Sequence, residues 1–289
     1  MCVTCGCSDT EQITVTNPAT GDQMLMAHEQ AHAHGHLHTH DTENSHEPRH
    51  HEHPHKSENS NNLSAITKTA HGQTIALEKE ILGKNQMLAE LNRSWLIERG
   101  ILALNLVSSP GSGKTTLLER TLNDLKNEYE ISVIEGDQET IHDAERIRAT
   151  GCKAVQINTG TGCHLEADML ARGLESLNPA SNSLLFIENV GNLVCPAMFD
   201  LGERAKVAIL SVTEGEDKPL KYPNMFRASE LMILNKIDLL PFVKFNVEKC
   251  IAYAKEVNPG IEILKVSAIT GEGMQDWYHW LRKTALFVQ

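Results

Sequence analysis

The sequence predicts an α/β fold in which a mostly parallel, seven-stranded sheet carries helices on both faces, preceded by a disordered His-rich tail. Three observations support this prediction. After about residue 65, apolar runs alternate with amphipathic helical patterns, as in parallel sheets with crossover helices. One of these runs leads directly into a glycine-rich loop, and the chain before residue 65 has few apolar side chains.

Seven apolar runs are predicted to be strands: Ile101–Val107, Ile131–Glu135, Ala154–Asn158, Leu184–Glu188, Val207–Val212, Leu231–Asn235 and Ile261–Val266. Helical patterns lie between them, as in Glu139–Thr150 and Leu165–Leu177. Upstream, Thr74–Glu98 is predicted to be an amphipathic helix that packs on the domain. Because the carboxyl ends of parallel strands meet at one rim, we expect the polar residues that follow the strands to share one site.

The loop after the first predicted strand has the composition of a phosphate cradle, reading SSPGSGKTT over residues 108–116. Its glycines would let backbone N–H groups surround a phosphate chain at a helix N-terminus. Ser108 replaces the first glycine of the strict P-loop pattern, and the alternative is an ordinary turn before a helix. The predicted nucleotide-binding residues are Gly111, Ser112, Gly113, Lys114, Thr115 and Thr116. The fold is then that of a P-loop NTPase.

An N-K-x-D motif at Asn235, Lys236 and Asp238 follows a later strand and predicts guanine selectivity. The Asp238 carboxylate can accept from guanine N1–H and N2–H₂ together, a donor pair that adenine lacks. Asn235 would brace the loop or contact the base edge, and the Lys236 stem would lie along the base. Ser267 and Ala268, after the last strand, would offer backbone N–H groups to the guanine oxygen. These residues predict GTP, and Asp238 argues against a P-loop kinase.

Two acidic strand ends, Asp137 and Glu188, lie between the phosphate loop and the guanine motif. Mg²⁺ prefers carboxylates, water and a P-loop hydroxyl, so Thr115 and Asp137 are its predicted ligands, with Glu188 nearby. Lys114, Asp137 and Glu188 are the predicted catalytic residues. Gly191 would let a backbone N–H approach a γ-phosphate. The alternative for each carboxylate is a helix cap or a solvated strand end.

A second group of residues suits a softer metal. Cys163 and His164 follow one predicted strand, and Cys195 follows Glu188 and Gly191 along the next. Thiolates and imidazole favour Zn²⁺ or Ni²⁺ over Mg²⁺. Three ligands leave a tetrahedral site incomplete, so we expect a second copy of the chain to complete it in a symmetric dimer. The alternative is that these side chains only pack in the core.

The tail, residues 1–64, is predicted to be a disordered metal-binding segment, and residues 65–289 are predicted to form the P-loop domain. Cys2, Cys5 and Cys7 offer three thiolates near the N-terminus for a metal site, with redox thiols as the alternative. Residues 28–55 contain 11 of the 15 histidines. Such dense imidazoles can hold several first-row ions without fixing one geometry, as in a metal reservoir. Few apolar side chains are present to offset the entropy of ordering.

Composition excludes several classes of partner. The formal net charge is −12, and no basic stripe is visible, so we expect no nucleic acid partner. The sequence has no run of 18 apolar residues and no secretory signal, so we expect no membrane partner and a cytoplasmic location. In a reducing compartment, the seven cysteines are expected to be thiols or metal ligands.

Taken together, the phosphate loop, the strand ends at Glu188 and Asp238, and the Cys163, His164 and Cys195 group closely resemble the HypB family. The members of this family are GTPases that assist nickel insertion into [NiFe]-hydrogenase. The resemblance covers about residues 68–289 and extends to the N-terminal cysteine motif. The urease accessory GTPases are similar but lack that motif.

The resemblance implies a slow, dimerising GTPase of the signal-recognition/MinD-like class that delivers Ni²⁺ according to its nucleotide state. It implies a GTP-dependent homodimer, a nickel chaperone of the HypA type as partner and a hydrogenase large-subunit precursor as recipient. The family's interface metal ligands correspond to Cys163, His164 and Cys195, and its apolar dimer patch lies near Leu239 and Val243. The alternative functions are a nickel or zinc storage protein with a secondary GTPase, or a urease-type accessory GTPase.

Overall fold

The structure is a computed structural model that describes residues 13–17, 22–26, 60–137 and 142–286. Its strands are β1 (Ile13–Asn17), β2 (Asp22–Met26), β3 (Leu102–Ser108), β4 (Ile131–Asp137), β5 (Lys153–Asn158), β6 (Leu184–Glu188), β7 (Ala205–Ser211), β8 (Leu231–Asn235) and β9 (Glu262–Lys265). Its helices are α1 (Ser60–Glu98), α2 (Lys114–Leu125), α3 (His142–Ala149), α4 (Ala167–Leu177), α5 (Cys195–Met198), α6 (Lys218–Lys221), α7 (Pro223–Ala228), α8 (Val247–Val257) and α9 (Met274–Ala285), with a 3₁₀ helix at Ile237–Phe242.

One sheet organises the described residues, with the strand order β2-β1-β5-β4-β6-β3-β7-β8-β9. Strands β3 to β9 pair in parallel, which confirms the predicted seven-stranded parallel sheet. Alternate residues of β3 belong to different core clusters: Leu104 joins Leu117 of α2 and Trp277 of α9, whereas Ala103 joins Leu170 of α4. Helices therefore cover both faces, because every second side chain of a buried strand needs an apolar partner.

Two further strands correct the prediction that residues 1–64 are disordered throughout. Strand β1 is antiparallel to β5, with Val15 opposite Ile157, and β2 is antiparallel to β1. Residues 13–16 read ITVT, a run of β-branched side chains, and Pro18 and Gly21 follow in the connection. This short strand and turn signal was outweighed by the polar composition around it.

Helix α1 begins earlier than the sequence predicts. Its described backbone runs over Ser60–Glu98, so it crosses the expected domain boundary at residue 65, whereas apolar periodicity predicts a start at Thr74. Periodicity reports the face that packs, and a helix can continue beyond that face.

Among the described residues, no helix is both long enough and apolar enough to cross a bilayer.

Helix α1 packs closely on the parallel-sheet domain, as predicted. Asn92 is buried, and its Nδ2 donates to the carbonyl oxygens of Ala167 (2.7 Å) and Leu201 (3.0 Å). Gly202 has φ +93°, and a Cβ built there would lie 2.5 Å from the Ala89 carbonyl oxygen. Glycine is therefore required at this position both by the backbone conformation and by the approach of the helix.

Candidate functional site

The predicted phosphate cradle lies between β3, which ends at Ser108, and α2, which begins at Lys114. Gly111 and Gly113 have φ values of +74° and +92°, a region that glycine adopts without steric cost. A Cβ built on Gly113 would lie 2.6 Å from Asn235 Nδ2, so a larger residue would also collide with the neighbouring loop. The N-terminus of α2 faces a cavity of about 500 Å³, the arrangement that binds phosphate groups.

Two side chains of the N-K-x-D motif form hydrogen bonds to the phosphate loop. Asn235 Nδ2 donates to the Ser112 carbonyl oxygen at 3.0 Å, and Lys236 Nζ donates to the Gly111 carbonyl oxygen at 2.7 Å. Lys236 is held at φ +62°, the left-handed region. Of the two roles expected for Asn235, the geometry favours bracing of the phosphate loop.

Asp238 and the Ser267-Ala268 pair lie on adjacent strand ends. Asp238 is half-buried in the 3₁₀ helix, and the preceding residue Ile237 donates its N–H to the Val266 carbonyl oxygen at 3.2 Å. The Ser267 N–H donates to the Glu272 carbonyl oxygen at 2.9 Å. The Ser267 amide is thus engaged within its own loop.

Two predicted carboxylates, Asp137 and Glu188, line the cavity beside the phosphate loop. Glu188 Oε1 accepts a hydrogen bond from Thr115 Oγ1 at 2.7 Å and lies 3.7 Å from Lys114 Nζ. Asp137, at the end of β4, and Gly191 line the same cavity. The structure therefore brings the predicted magnesium and catalytic residues together.

Glu135 is a cavity residue that the sequence analysis missed. It is 3% exposed and lies opposite Glu188 in the register of β4 and β6. Burial, followed by the charges of Glu188 and other carboxylates, raises the pKa of Glu135 to about 9. Burial also raises the pKa of Glu188, although Lys114 and Thr115 oppose the shift. The sequence did contain a signal for this residue, because Glu135 is a glutamate within an otherwise apolar strand.

The cavity fits a divalent cation on chemical grounds. Glu135 Oε2 and Glu188 Oε2 are buried and have no hydrogen-bond partner within the described residues. Buried carboxylates of this kind are normally neutralised by protons or by a cation. Arg146 lines the same cavity and contacts Glu119 at 2.7 Å and Thr116 Oγ1 at 3.2 Å. This arginine was also missed, because its helical pattern carried no motif.

Replacing Glu135 with glutamine should stabilise the protein at neutral pH. Because the folded pKa is raised from 4.5 to about 9, folding at pH 7 requires a proton that the unfolded chain does not hold. This cost is absent below pH 4.5, grows as the pH rises, and reaches about 3 kcal/mol at pH 7. Denaturant unfolding should give a larger gain for Glu135→Gln at pH 7 than at pH 5. A gain that is equal at both pH values, or equal to that of the exposed control Glu175→Gln, would contradict this prediction.

The structure also brings together Cys163, His164 and Cys195, whose ligand atoms all lie within 4.8 Å of one another. Cys195 and His164 are buried, and Cys163 is half-buried. The His164 ring lies against Phe199, with centroids 4.1 Å apart. Burial lowers the pKa of His164 to about 4, so its imidazole is neutral at pH 7, the form that binds metal.

Asn192 joins the two segments that carry these three residues. Its Nδ2 donates to the Cys163 carbonyl oxygen at 3.3 Å, and its Oδ1 accepts from the Val194 N–H at 2.8 Å. The arrangement can hold one thiophilic ion and leaves a coordination position for a further ligand. The other predicted metal ligands, Cys2, Cys5 and Cys7, and the histidine tract lie outside the described residues.

Comparison with known proteins gives consistent matches. Residues 102–265 match the family model of the CobW/HypB/UreG nucleotide-binding domain. Hydrogenase maturation factor HypB of Escherichia coli strain K12 is 63% identical over 207 residues, which cover 72% of this chain and 71% of that protein.

Two solved structures are similar over most of the described residues. HypB from Archaeoglobus fulgidus is 43% identical, with a TM-score of 0.66, over 70% of this chain and 99% of that one. HypB from Helicobacter pylori in complex with nickel is 38% identical, also with a TM-score of 0.66, over 70% of this chain and 95% of that one. The chain therefore belongs to the HypB family of hydrogenase maturation factors, within the CobW/HypB/UreG P-loop GTPases.

Proposed function

We propose that this protein is a cytoplasmic, GTP-dependent nickel metallochaperone that hydrolyses GTP and delivers Ni²⁺ to a [NiFe]-hydrogenase large-subunit precursor. The observation that carries the proposal is the Cys163, His164 and Cys195 cluster, carried by the loops after β5 and β6, of which β6 ends in the nucleotide cavity at Glu188. Family membership and the nickel complex of the Helicobacter pylori relative support it.

In this proposal, guanine is selected by Asp238, with the Lys236 stem along the base and the Ala268 amide directed at the guanine oxygen. The residues from Gly111 to Thr116 hold the phosphates, and Gly191 approaches the γ-phosphate. Thr115 and Asp137 would hold Mg²⁺, which supplies charge neutralisation between the β- and γ-phosphates when bound. The unpartnered buried oxygen of Glu188 is consistent with a cation nearby.

Glu188 would respond to nucleotide binding through the two residues that contact it. In the structure, Lys114 Nζ and Thr115 Oγ1 both contact Glu188 Oε1. Phosphate recognition requires the same ammonium and the same hydroxyl, so a bound nucleotide must draw both away from Glu188. Glu188 then changes partners, and the chain that follows it leads through Gly191 to Cys195.

The metal side of the proposal requires a second copy of the chain. Cys163, His164 and Cys195 supply three ligands, and a GTP-dependent homodimer in contact near Leu239 and Val243 would bring two clusters together. The same donors suit Zn²⁺, so zinc is the competing occupant. Cys2, Cys5 and Cys7 would form a second nickel site, which exchanges metal with a partner of the HypA type.

Nickel titration of the full-length protein tests the proposal. The wild type, Cys163→Ala and Cys152→Ala would each be titrated with GDP and with a non-hydrolysable GTP analogue. Cys152 is a matched control, because it is also half-buried but lies outside the cluster. We expect Cys163→Ala to lose one nickel site that Cys152→Ala retains. Equal nickel affinity in the two nucleotide states would refute the coupling, because a ligand with no differential affinity shifts no equilibrium.

A further inference from the structure

The segment 159–165, here called the ligand segment because it carries Cys163 and His164, is held at both ends by strands of the nucleotide cavity. At its start, the Thr159 N–H donates to the Asp137 carbonyl oxygen at 2.9 Å. At its end, the Leu165 N–H donates to Asn189 Oδ1 at 3.1 Å. Asp137 ends β4, and Asn189 directly follows β6. Displacement of either strand end therefore displaces the ligand segment.

Leu165 is in contact with the cavity through its side chain as well. It is fully buried, and a Cβ built on Gly136 would lie 2.6 to 2.9 Å from three of its side-chain carbons. Gly136 lines the nucleotide cavity. Packed cores change between discrete arrangements rather than deform gradually. We therefore expect Leu165, the chain neighbour of His164, to move when either β4 or β6 moves.

Asn189 is held by hydrogen bonds to both the oxygen and the nitrogen of its side-chain amide. It is 1% exposed, and its Oδ1 also accepts from its neighbour's N–H, that of Val190, at 3.0 Å. Its Nδ2 donates to Asn105 Oδ1 at 3.2 Å, and Asn105 Nδ2 donates to Glu203 Oε1 at 3.0 Å. Its orientation is therefore set by a buried network, and a broken bond would leave a costly unsatisfied group.

We propose that Asn189 is a positioning residue that transmits the change of partners at Glu188 to His164, through the hydrogen bond to Leu165. Glu188 and Asn189 are adjacent in the chain, as are His164 and Leu165, so this hydrogen bond is a short direct link between the nucleotide cavity and the metal cluster. The inference rests on the proposed function, since it assumes that nucleotide state alters metal binding. A path of contacts between two sites couples them only when the ligands of both sites shift the equilibrium of the same structural element.

Three full-length variants test this role. Asn189→Ala removes the acceptor for the Leu165 N–H, and the conservative Leu165→Val trims the contact with Gly136. Asn258→Ala is the control, because the Asn258 side chain also bonds two backbone groups, with Nδ2 donating to the carbonyl oxygens of Phe226 (3.1 Å) and Ser229 (3.0 Å). The first readout is amide hydrogen exchange of the ligand segment with GDP and with a GTP analogue, which is insensitive to metal on the tail. The second is the ratio of nickel affinities in those two states.

In the wild type, we expect nickel affinities that differ about fivefold or more between the two states, with different exchange in the ligand segment. Asn189→Ala should reduce that ratio to about one while it still binds GTP, and Leu165→Val should reduce it in part. Asn258→Ala should retain it.

If Asn189→Ala does not fold, Asn189→Ser and Leu165→Val carry the test. A wild type without a nucleotide effect overturns the coupling in the proposed function, whereas a wild-type effect that persists in the folded Asn189 variant overturns only the role of Asn189.

Discussion

Replacing Asp238 with asparagine should weaken GTP binding and give the protein affinity for xanthine nucleotides. A carboxylate accepts from the two adjacent donors of guanine, whereas a carboxamide presents one acceptor and one donor, which suit xanthine. A site built to hydrogen-bond its substrate rejects a mismatched analogue strongly, so GDP affinity should fall roughly 100-fold or more. Calorimetric titration with GDP and with xanthosine diphosphate measures both changes.

The position of Asp238 makes this test clean. It is half-buried at the start of the 3₁₀ helix, so the isosteric change should leave the fold intact. Glu272→Gln is the matched control, because it removes an exposed carboxylate from the loop after Ser267. GDP affinity should be unchanged in Glu272→Gln. If Asp238→Asn retains its preference for guanine, the base is read by other groups.

Strand predictions succeeded where local sequence and burial agree. All seven strands of the parallel sheet, from β3 to β9, were predicted from their apolar runs. Strands β3, β6, β7 and β8 are buried along their whole length, which makes such runs continuous. The order of the motifs along these runs was sufficient to place Lys114, Asp137 and Glu188 around one cavity. Parallel strands align their carboxyl ends, so proximity in space follows from topology alone.

Features that depend on contacts distant in sequence could not be predicted. Glu135 was missed because its raised pKa comes from the residues around it in the fold, above all from burial and from Glu188. The link from Asn189 to Leu165 was missed for the same reason, since it joins the ends of two chain segments. The strand β1 was missed because a short β-branched run has meaning only once β5 offers an edge to pair with.

Replacing Lys114 with methionine should abolish the response to GTP while the fold is preserved. Methionine retains the apolar stem of the 12%-exposed lysine side chain and removes its charge. The variant leaves the nucleotide phosphates without the Lys114 ammonium. Loss of one partner from a desolvated charge pair costs about 2 to 5 kcal/mol, which is roughly 30-fold or more in GTP affinity. Nucleotide binding and single-turnover hydrolysis measure this loss. Lys126→Ala, at the other end of α2, should keep both activities.

Stability distinguishes this prediction from general misfolding. Lys114 lies 3.7 Å from Glu188 Oε1, and burial already raises the pKa of that carboxyl. Without the ammonium, the pKa of Glu188 rises further, which favours the neutral carboxyl, and the hydrogen bond from Thr115 remains. Thermal unfolding of Lys114→Met without nucleotide should therefore resemble that of the wild type. The nickel affinity of this variant should equal that of the GDP-bound wild type whether or not GTP is present. A GTP effect on nickel that survived in it would mean that Lys114 is not needed to sense the nucleotide.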